Sequence, residues 1–219
     1  MTNVYATADK VRLRRQLFQV GLDALKKEGW EVERVQGAGK SSLRRITKGK
    51  DSKLVSIRTT QDTWIAFPRT KRDDGWVTLS DADFVVAVSV DDADEPRFAQ
   101  AHLIKGDEMR DRFDRAYRAR LDAGHSIPLG RGVWVSLYLQ EVNDPVNRVG
   151  AGAGLAHPAV LRVPLDGQPA DIPDDEVEGA EEASFDSSQD GSLTIAEAKR
   201  RLALTFGVDP SSVKITIEA

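Results

Sequence analysis

Phe84-Val-Val-Ala-Val-Ser-Val90 is the most apolar run of the chain. Consecutive apolar residues interrupted only by Ser89 cannot alternate between a buried face and a wet face, so both faces of this segment must be covered. The run therefore predicts a buried strand at the centre of a sheet. Such a strand requires other strands beside it and further elements packed on both of its faces.

Upstream of this run, the patterning predicts one helix followed by four strands. An apolar stripe at helical spacing covers residues 7–29, and Gly29 is a typical helix end. Alternating or β-branched segments then favour strands in hairpin succession. The predicted strands cover residues 30–35, 43–47, 54–60 and 64–67.

Downstream of the run, a helix is predicted over residues 107–123 and a further strand over 133–139. The chain thus reads helix, four strands, buried strand, helix, strand. This order predicts an α+β (mixed α/β) fold with a mixed central sheet flanked by helices.

The charge of the chain is unevenly distributed although its net value is only -4. Residues 1–140 carry a basic surplus and form the predicted α/β domain, whereas residues 141–191 are acidic, rich in Gly and Pro, and predicted to be a linker. A small helix–strand element is expected over 192–219. The 219 residues include no cysteine, which excludes disulfides and thiol catalysis, and no apolar run long enough for a membrane-spanning helix. We therefore expect the protein in the cytoplasm.

The order of elements over residues 7–140 resembles that of the restriction-endonuclease-like, or PD-(D/E)XK, nuclease superfamily. In active members two carboxylates hold a metal ion, and a neighbouring lysine helps to orient the attacking water. The resemblance implies an acid-x-Lys triplet on the third strand, but that strand reads Ser56-Ile57-Arg58. We therefore expect a nuclease-like fold with a degenerate active site, no catalytic residues and no cofactor.

A metal-dependent nuclease is an alternative interpretation. The literal triplet Asp51-Ser52-Lys53 is present nearby and could act with an upstream carboxylate such as Glu33 on a bound Mg²⁺. The triplet falls in the predicted hairpin turn, where its side chains would face solvent, because Asp favours turns through local hydrogen bonds.

Basic residues accumulate around the predicted second hairpin and the loop after the fourth strand. Lys and Arg neutralise phosphates in the sequence-independent part of nucleic-acid binding, and Trp64 and Trp76 are interleaved with them. Solvated hairpin charges are the alternative explanation. The residues that we expect to contact DNA or RNA are Arg44, Arg45, Lys48, Arg58, Arg69 and Lys71.

Residues 186–197 match the ligand positions of an EF-hand calcium loop, with Gly191 at the turn. A helix-capping box formed by Thr194 and Glu197 explains part of the same pattern. Both interpretations stay open, and the first would make the chain a Ca²⁺-binding interaction module. The candidate calcium ligands are Asp186, Ser188, Asp190, Ser192 and Glu197.

Residues 192–217 also resemble the helix and following turn of ubiquitin-like β-grasp domains. The resemblance rests on the segment 193–199, on Leu202 and on the turn 207–210. It implies a docking surface for a protein partner, and we expect no membrane partner. Taken together, the sequence favours a non-catalytic binding or regulatory protein that could bind nucleic acid, with the nuclease and the calcium module as alternatives.

Overall fold

The computed structural model describes residues 8–35, 42–128, 130, 132–165 and 214. The chain divides into two units, Met1–Ala183 and Ser184–Ala219, and all described residues except Lys214 belong to the first. This unit has an α+β fold, as the sequence predicts. Within the described ranges, every helix is too short or too polar to cross a membrane.

The regular elements of the described part of the chain are two long α-helices, one short α-helix, one 3₁₀ helix (Val146–Arg148) and eight strands. The helices are α1 (Ala8–Lys27), α2 (Gly106–Asp122) and α3 (Ala153–Ala156). The strands are β1 (Glu31–Arg34), β2 (Leu43–Lys48), β3 (Asp51–Thr59), β4 (Trp64–Pro68), β5 (Phe84–Val90), β6 (Phe98–Lys105), β7 (Gly132–Ser136) and β8 (Leu161–Pro164).

Six of these strands form one mixed sheet in the order β1-β2-β3-β5-β6-β8. All neighbours are antiparallel except β3 and β5, which pair in parallel from Val55 opposite Phe84 to Thr59 opposite Val88. A parallel pair cannot be joined by a tight turn, and the chain between them forms β4 and a long loop. The apolar run Phe84–Val90 is thus an interior strand, as predicted.

The two faces of this sheet are covered by different elements. Helix α1 packs on one face, where its glycine Gly21 lies against Ile57 and Val88. Helix α2 and the two-stranded sheet β4–β7 cover the other face, where Phe67 and Phe113 pack edge to face with ring centroids 5.0 Å apart. The structure therefore has three layers with the six-stranded sheet in the middle.

Part of the predicted linker contributes to the fold. β8 lies within the stretch 141–191 and pairs with β6, from Leu161 opposite Ala101 to Pro164 opposite Phe98. The glycine-rich segment 150–154 is buried, and a Cβ atom on Gly150 would overlap the carbonyl oxygen of Arg112. Small residues here allow the backbone to approach α2 closely. A composition typical of disorder thus forms close packing in residues 149–154 and a paired strand at Leu161–Pro164.

Candidate functional site

The third strand places a buried arginine where the nuclease resemblance would require a lysine beside carboxylates. Arg58 is 2% exposed, and its guanidinium lies 4.5 Å from the centre of the Phe67 ring. Its Nη2 atom donates to the hydroxyl of Thr78 at 2.6 Å. The Ser56 hydroxyl lies 3.2 Å from the same Thr78 oxygen. This position therefore carries a fixed positive charge that is enclosed by protein.

Thr78 holds this arrangement in an unusual backbone conformation. Its φ of 66° lies in the left-handed region, which a β-branched residue rarely adopts and which costs about 1–3 kcal/mol. Its hydroxyl faces both Ser56 and Arg58, and its neighbour's carbonyl, that of Val77, accepts from Arg58 at 3.3 Å. The contacts to β3 hold the loop in this conformation.

The residues of the alternative nuclease site do not converge. Asp51 and Lys53 were expected in the hairpin turn, but they lie at the start of β3. The turn is shorter than predicted, because Lys48 already pairs with Asp51. Lys53 pairs with Ile46, which is buried under α1. Glu33 pairs with Arg45, which directly precedes Ile46 in β2. Since successive residues of a strand point to opposite faces, Glu33 lies on the opposite face of the sheet from Asp51 and Lys53.

Three of the six predicted nucleic-acid contacts are buried against aromatic rings. Arg58 is one of them, and Arg44, which is 3% exposed, lies 5.2 Å from the Phe18 ring centre. Arg69 is 8% exposed and lies against both Trp76 and Tyr117, at 4.8 and 4.5 Å from their ring centres. Charge and sequence position do not reveal whether an arginine covers a ring inside the fold or meets solvent.

The Arg69 cluster also binds a carboxylate. Asp73 pairs with Arg69 at 2.7 Å and accepts the Tyr117 hydroxyl at 3.0 Å. The hydrogen bond from Arg69, followed by that from Tyr117, lowers the pKa of Asp73. Trp76 is buried in the same cluster and donates from Nε1 to Asp114 at 2.9 Å. These groups fasten the loop after β4 to α2 and leave Arg69 paired within the fold.

The other three predicted contacts are exposed. Arg45 and Lys48 lie on β2, where Lys48 donates to the carbonyl of Glu28 at 2.8 Å and lies 5.8 Å from the Trp30 ring centre. Lys71 is exposed in the loop after β4. The structure therefore does not bring all six cations to one surface, and Arg45, Lys48 and Lys71 are those available to a phosphate.

A buried chain of polar groups that the sequence analysis does not identify crosses the α2 side of the sheet. The hydroxyl oxygens of Ser89 and Tyr138 lie 2.6 Å apart, and the Tyr138 oxygen lies 2.8 Å from Nε2 of His102. Nδ1 of His102 lies 2.7 Å from the carbonyl oxygen of His157. Ser89 and His102 are buried on β5 and β6. The sequence signal for this chain of groups was the presence of Ser89 and His102 within mainly apolar strands.

The direction of these hydrogen bonds follows from the last group in the series, the carbonyl of His157. The His157 carbonyl can only accept, so Nδ1 of His102 donates to it. In the neutral imidazole Nε2 is then the acceptor, so Tyr138 donates to His102 and accepts from Ser89. Burial lowers the pKa of His102 and raises that of Tyr138, which favours these neutral forms. We call the three side chains Ser89, Tyr138 and His102 the polar chain.

An ion-paired group at the surface continues from the polar chain. His157 Nε2 lies 2.6 Å from a carboxylate oxygen of Glu108, whose other oxygen accepts from Arg112 Nε at 3.0 Å. Burial raises the pKa of Glu108, but the hydrogen bonds from His157 and Arg112 outweigh it and the net shift is downward. Arg112 also donates to the carbonyl of Ala151 at 2.5 Å. The segment around His157 is thus fastened to both α2 and β6.

Chemically, this arrangement positions side chains and holds protons. Ser89 is fully buried, so its hydroxyl has no route to an external substrate in this conformation. In the described ranges, no group of three or more His, Asp or Glu side chains is placed to hold a metal ion. The candidate calcium ligands at 186–197 and the β-grasp-like segment at 192–217 lie outside the described residues.

Comparison with known proteins gives no relative for this chain: no family model, curated protein or solved structure matches it.

Proposed function

We propose that this chain is a cytoplasmic, non-catalytic nucleic-acid-binding protein built on a nuclease-like α+β domain. The observation that carries the proposal is Arg58, whose buried guanidinium occupies the third-strand position of the resemblance. A fixed cation there opposes the binding of a catalytic metal ion, because like charges repel strongly in a poorly solvated site. In this proposal the third strand serves packing instead of metal binding.

The proposed ligand class, nucleic acid, rests on the three predicted cations that are exposed in the structure. Arg45 and Lys48 are exposed on opposite faces of the second strand, and Lys71 is exposed in the loop after β4. Exposed Lys and Arg side chains bind phosphates without reading sequence, and each phosphate contact releases counterions. Binding should therefore be independent of divalent metal and steeply dependent on salt.

The test measures fluorescence anisotropy of labelled oligonucleotides, with EDTA and with Mg²⁺, over a series of salt concentrations. The variant Arg45→Gln/Lys48→Gln/Lys71→Gln should bind duplex DNA more weakly, with a salt slope smaller by about 2.7 if each cation meets one phosphate. The control Lys26→Gln/Arg97→Gln/Arg118→Gln removes the same charge from three other exposed positions and should bind like the unmodified chain.

Two results would contradict the proposal. One is an unmodified chain that binds no nucleic acid at low salt. The other is metal-dependent cleavage of plasmid DNA that disappears in the variant Asp51→Asn, which would favour the nuclease alternative instead.

A further inference from the structure

The four tryptophans of this chain fall into two pairs with different surroundings. Trp76 is buried among Phe113, Tyr117 and Arg69, and Trp30 contacts Phe84 and a lysine. In contrast, no aromatic or cation–π contact within residues 8–35, 42–128, 130 and 132–165 includes Trp64 or Trp134. These two residues also do not belong to either of the two core clusters of the described residues.

The register of the small β4–β7 sheet places Trp64 and Trp134 together. Ile65 pairs with Val135, and both are core residues on the inner face. Trp64 pairs with Ser136 and Ala66 pairs with Trp134, so both tryptophans lie on the outer face. They occupy a diagonal position, where Cβ atoms are about 7–8 Å apart or less. Both are partly exposed, whereas Ala66 and Ser136 on the same face are buried.

A basic helix end lies next to this pair. The side chain of Gln61, three residues before Trp64, donates to the carbonyl of Lys10 at 2.7 Å. The chain from Gln61 to Trp64 can span at most about 11 Å. The first two turns of α1 carry Lys10, Arg12, Arg14 and Arg15. Lys10 and Arg12 are exposed, Arg12 pairs with Asp9 at 3.1 Å, and the other three cations also have interactions within the fold. At the other end of the pair, Arg120 donates to the carbonyl of Trp134 at 2.7 Å.

We propose that Trp64 and Trp134 form a stacking surface for unpaired bases, and that the cations at the start of α1 hold the phosphates of the same single strand. Aromatic side chains and a basic track are the combination that binds single-stranded nucleic acid without sequence preference, because every base has a π face. A duplex hides those faces. This inference rests on the proposed function for its ligand class and adds that the strand is unpaired.

The test compares labelled oligo(dT) of fifteen nucleotides with a blunt duplex of equal length, using the full chain. The unmodified chain should bind the single strand about tenfold more tightly or better. The variants Trp64→Ala and Trp134→Ala should each weaken that binding by about 5- to 150-fold, since one stacked base contributes about 1–3 kcal/mol. Both should leave duplex binding nearly unchanged.

Conservative and matched variants separate stacking from folding. Trp64→Phe and Trp134→Phe keep an aromatic face and should retain most of the affinity, whereas Leu155→Ala, which truncates an exposed apolar side chain on α3, should have no effect. The variant Lys10→Gln/Arg12→Gln should lower the salt slope for the single strand by about 1.4. Far-ultraviolet circular dichroism and thermal unfolding verify that each variant is folded.

The possible failures are distinguishable. An unmodified chain that binds duplex as tightly as the single strand, or alanine variants that are folded and bind oligo(dT) normally, overturn the stacking surface and leave the proposed function intact. An unmodified chain that binds neither oligonucleotide overturns the proposed function and this inference with it.

Discussion

The two sides of the six-stranded sheet are packed with different chemistry. On the α1 side, residues such as Leu17 and Phe18 are fully buried in a mainly apolar core. On the α2 side, the polar chain of Ser89, Tyr138 and His102 crosses the interior between aromatic groups. Apolar packing has no preferred protonation state, whereas the polar chain has the right donors and acceptors only when His102 is neutral. Stability on the two sides should therefore respond differently to truncation, to loss of one hydroxyl, and to pH.

The largest expected effect is on the α1 side. Phe18→Ala removes a fully buried ring that also lies 5.2 Å from the Arg44 guanidinium. Chemical denaturation at pH 7 should show a loss of about 3–5 kcal/mol in the free energy of unfolding. The control Leu121→Ala truncates a side chain that is 44% exposed and should cost far less. Equal losses in the two variants would show that this core does not dominate stability.

A smaller effect is expected from one hydroxyl on the α2 side. Tyr138→Phe leaves both Ser89 and Nε2 of His102 without the partner seen here, and a buried unsatisfied polar group costs about 1–3 kcal/mol. The same denaturation experiment measures it. Tyr117→Phe is the matched control, since it removes an exposed hydrogen bond to Asp73 and should cost less. A larger loss for Tyr117→Phe would reverse the proposed roles of the two sites.

The smallest effect concerns pH. Because burial lowers the pKa of His102, the unfolded chain binds more protons than the folded chain below about pH 6.5. The free energy of unfolding should then fall as pH decreases from about 6.5, by at most about 1.4 kcal/mol per pH unit from this group. Tyr138 and the carbonyl of His157 contact His102 from neighbouring elements, and Glu108 contacts the His157 ring.

Two variants locate the source of that pH dependence. His102→Gln should flatten the decrease between pH 6.5 and about 5, whereas Phe18→Ala should shift the whole curve downward without changing its slope. The carboxylates Asp91 and Glu108, whose pKa values are lowered, lose their contribution only at lower pH. An unchanged slope in His102→Gln would assign the pH dependence to other groups.

Much of the framework could be predicted because it rests on local patterns. The apolar run of β5 and the periodicity of α1 gave bounds that match the structure to within one or two residues. The predicted order of elements lacks β6, because its sequence from Phe98 to Lys105 contains Gln100 and His102 and has no simple apolar run. The start of β3 looked like a turn because Asp51 is an exposed strand end, where side chains resemble those of loops.

The candidate sites depended on contacts between distant segments. The burial of Arg58 requires Phe67 and Thr78, which lie in β4 and the loop after it. The polar chain joins residues from β5, β6 and the segment after β7, and their spacing in sequence carries no signal for this meeting. Residue type indicates which groups can pair, but only the tertiary fold determines which of them do.

The parallel pairing of β3 with β5 has a consequence for how the chain is assembled. The meander β1–β2–β3 and the hairpin β5–β6 each form from neighbouring segments, whereas the β3–β5 junction must close a long loop and should therefore form late. Until that happens, the apolar strand Phe84–Val90 is a sheet edge. Uncharged, β-branched edges of this kind are templates for aggregation. During synthesis and refolding, the segment that becomes an interior strand of the finished sheet is thus the one most prone to aggregation.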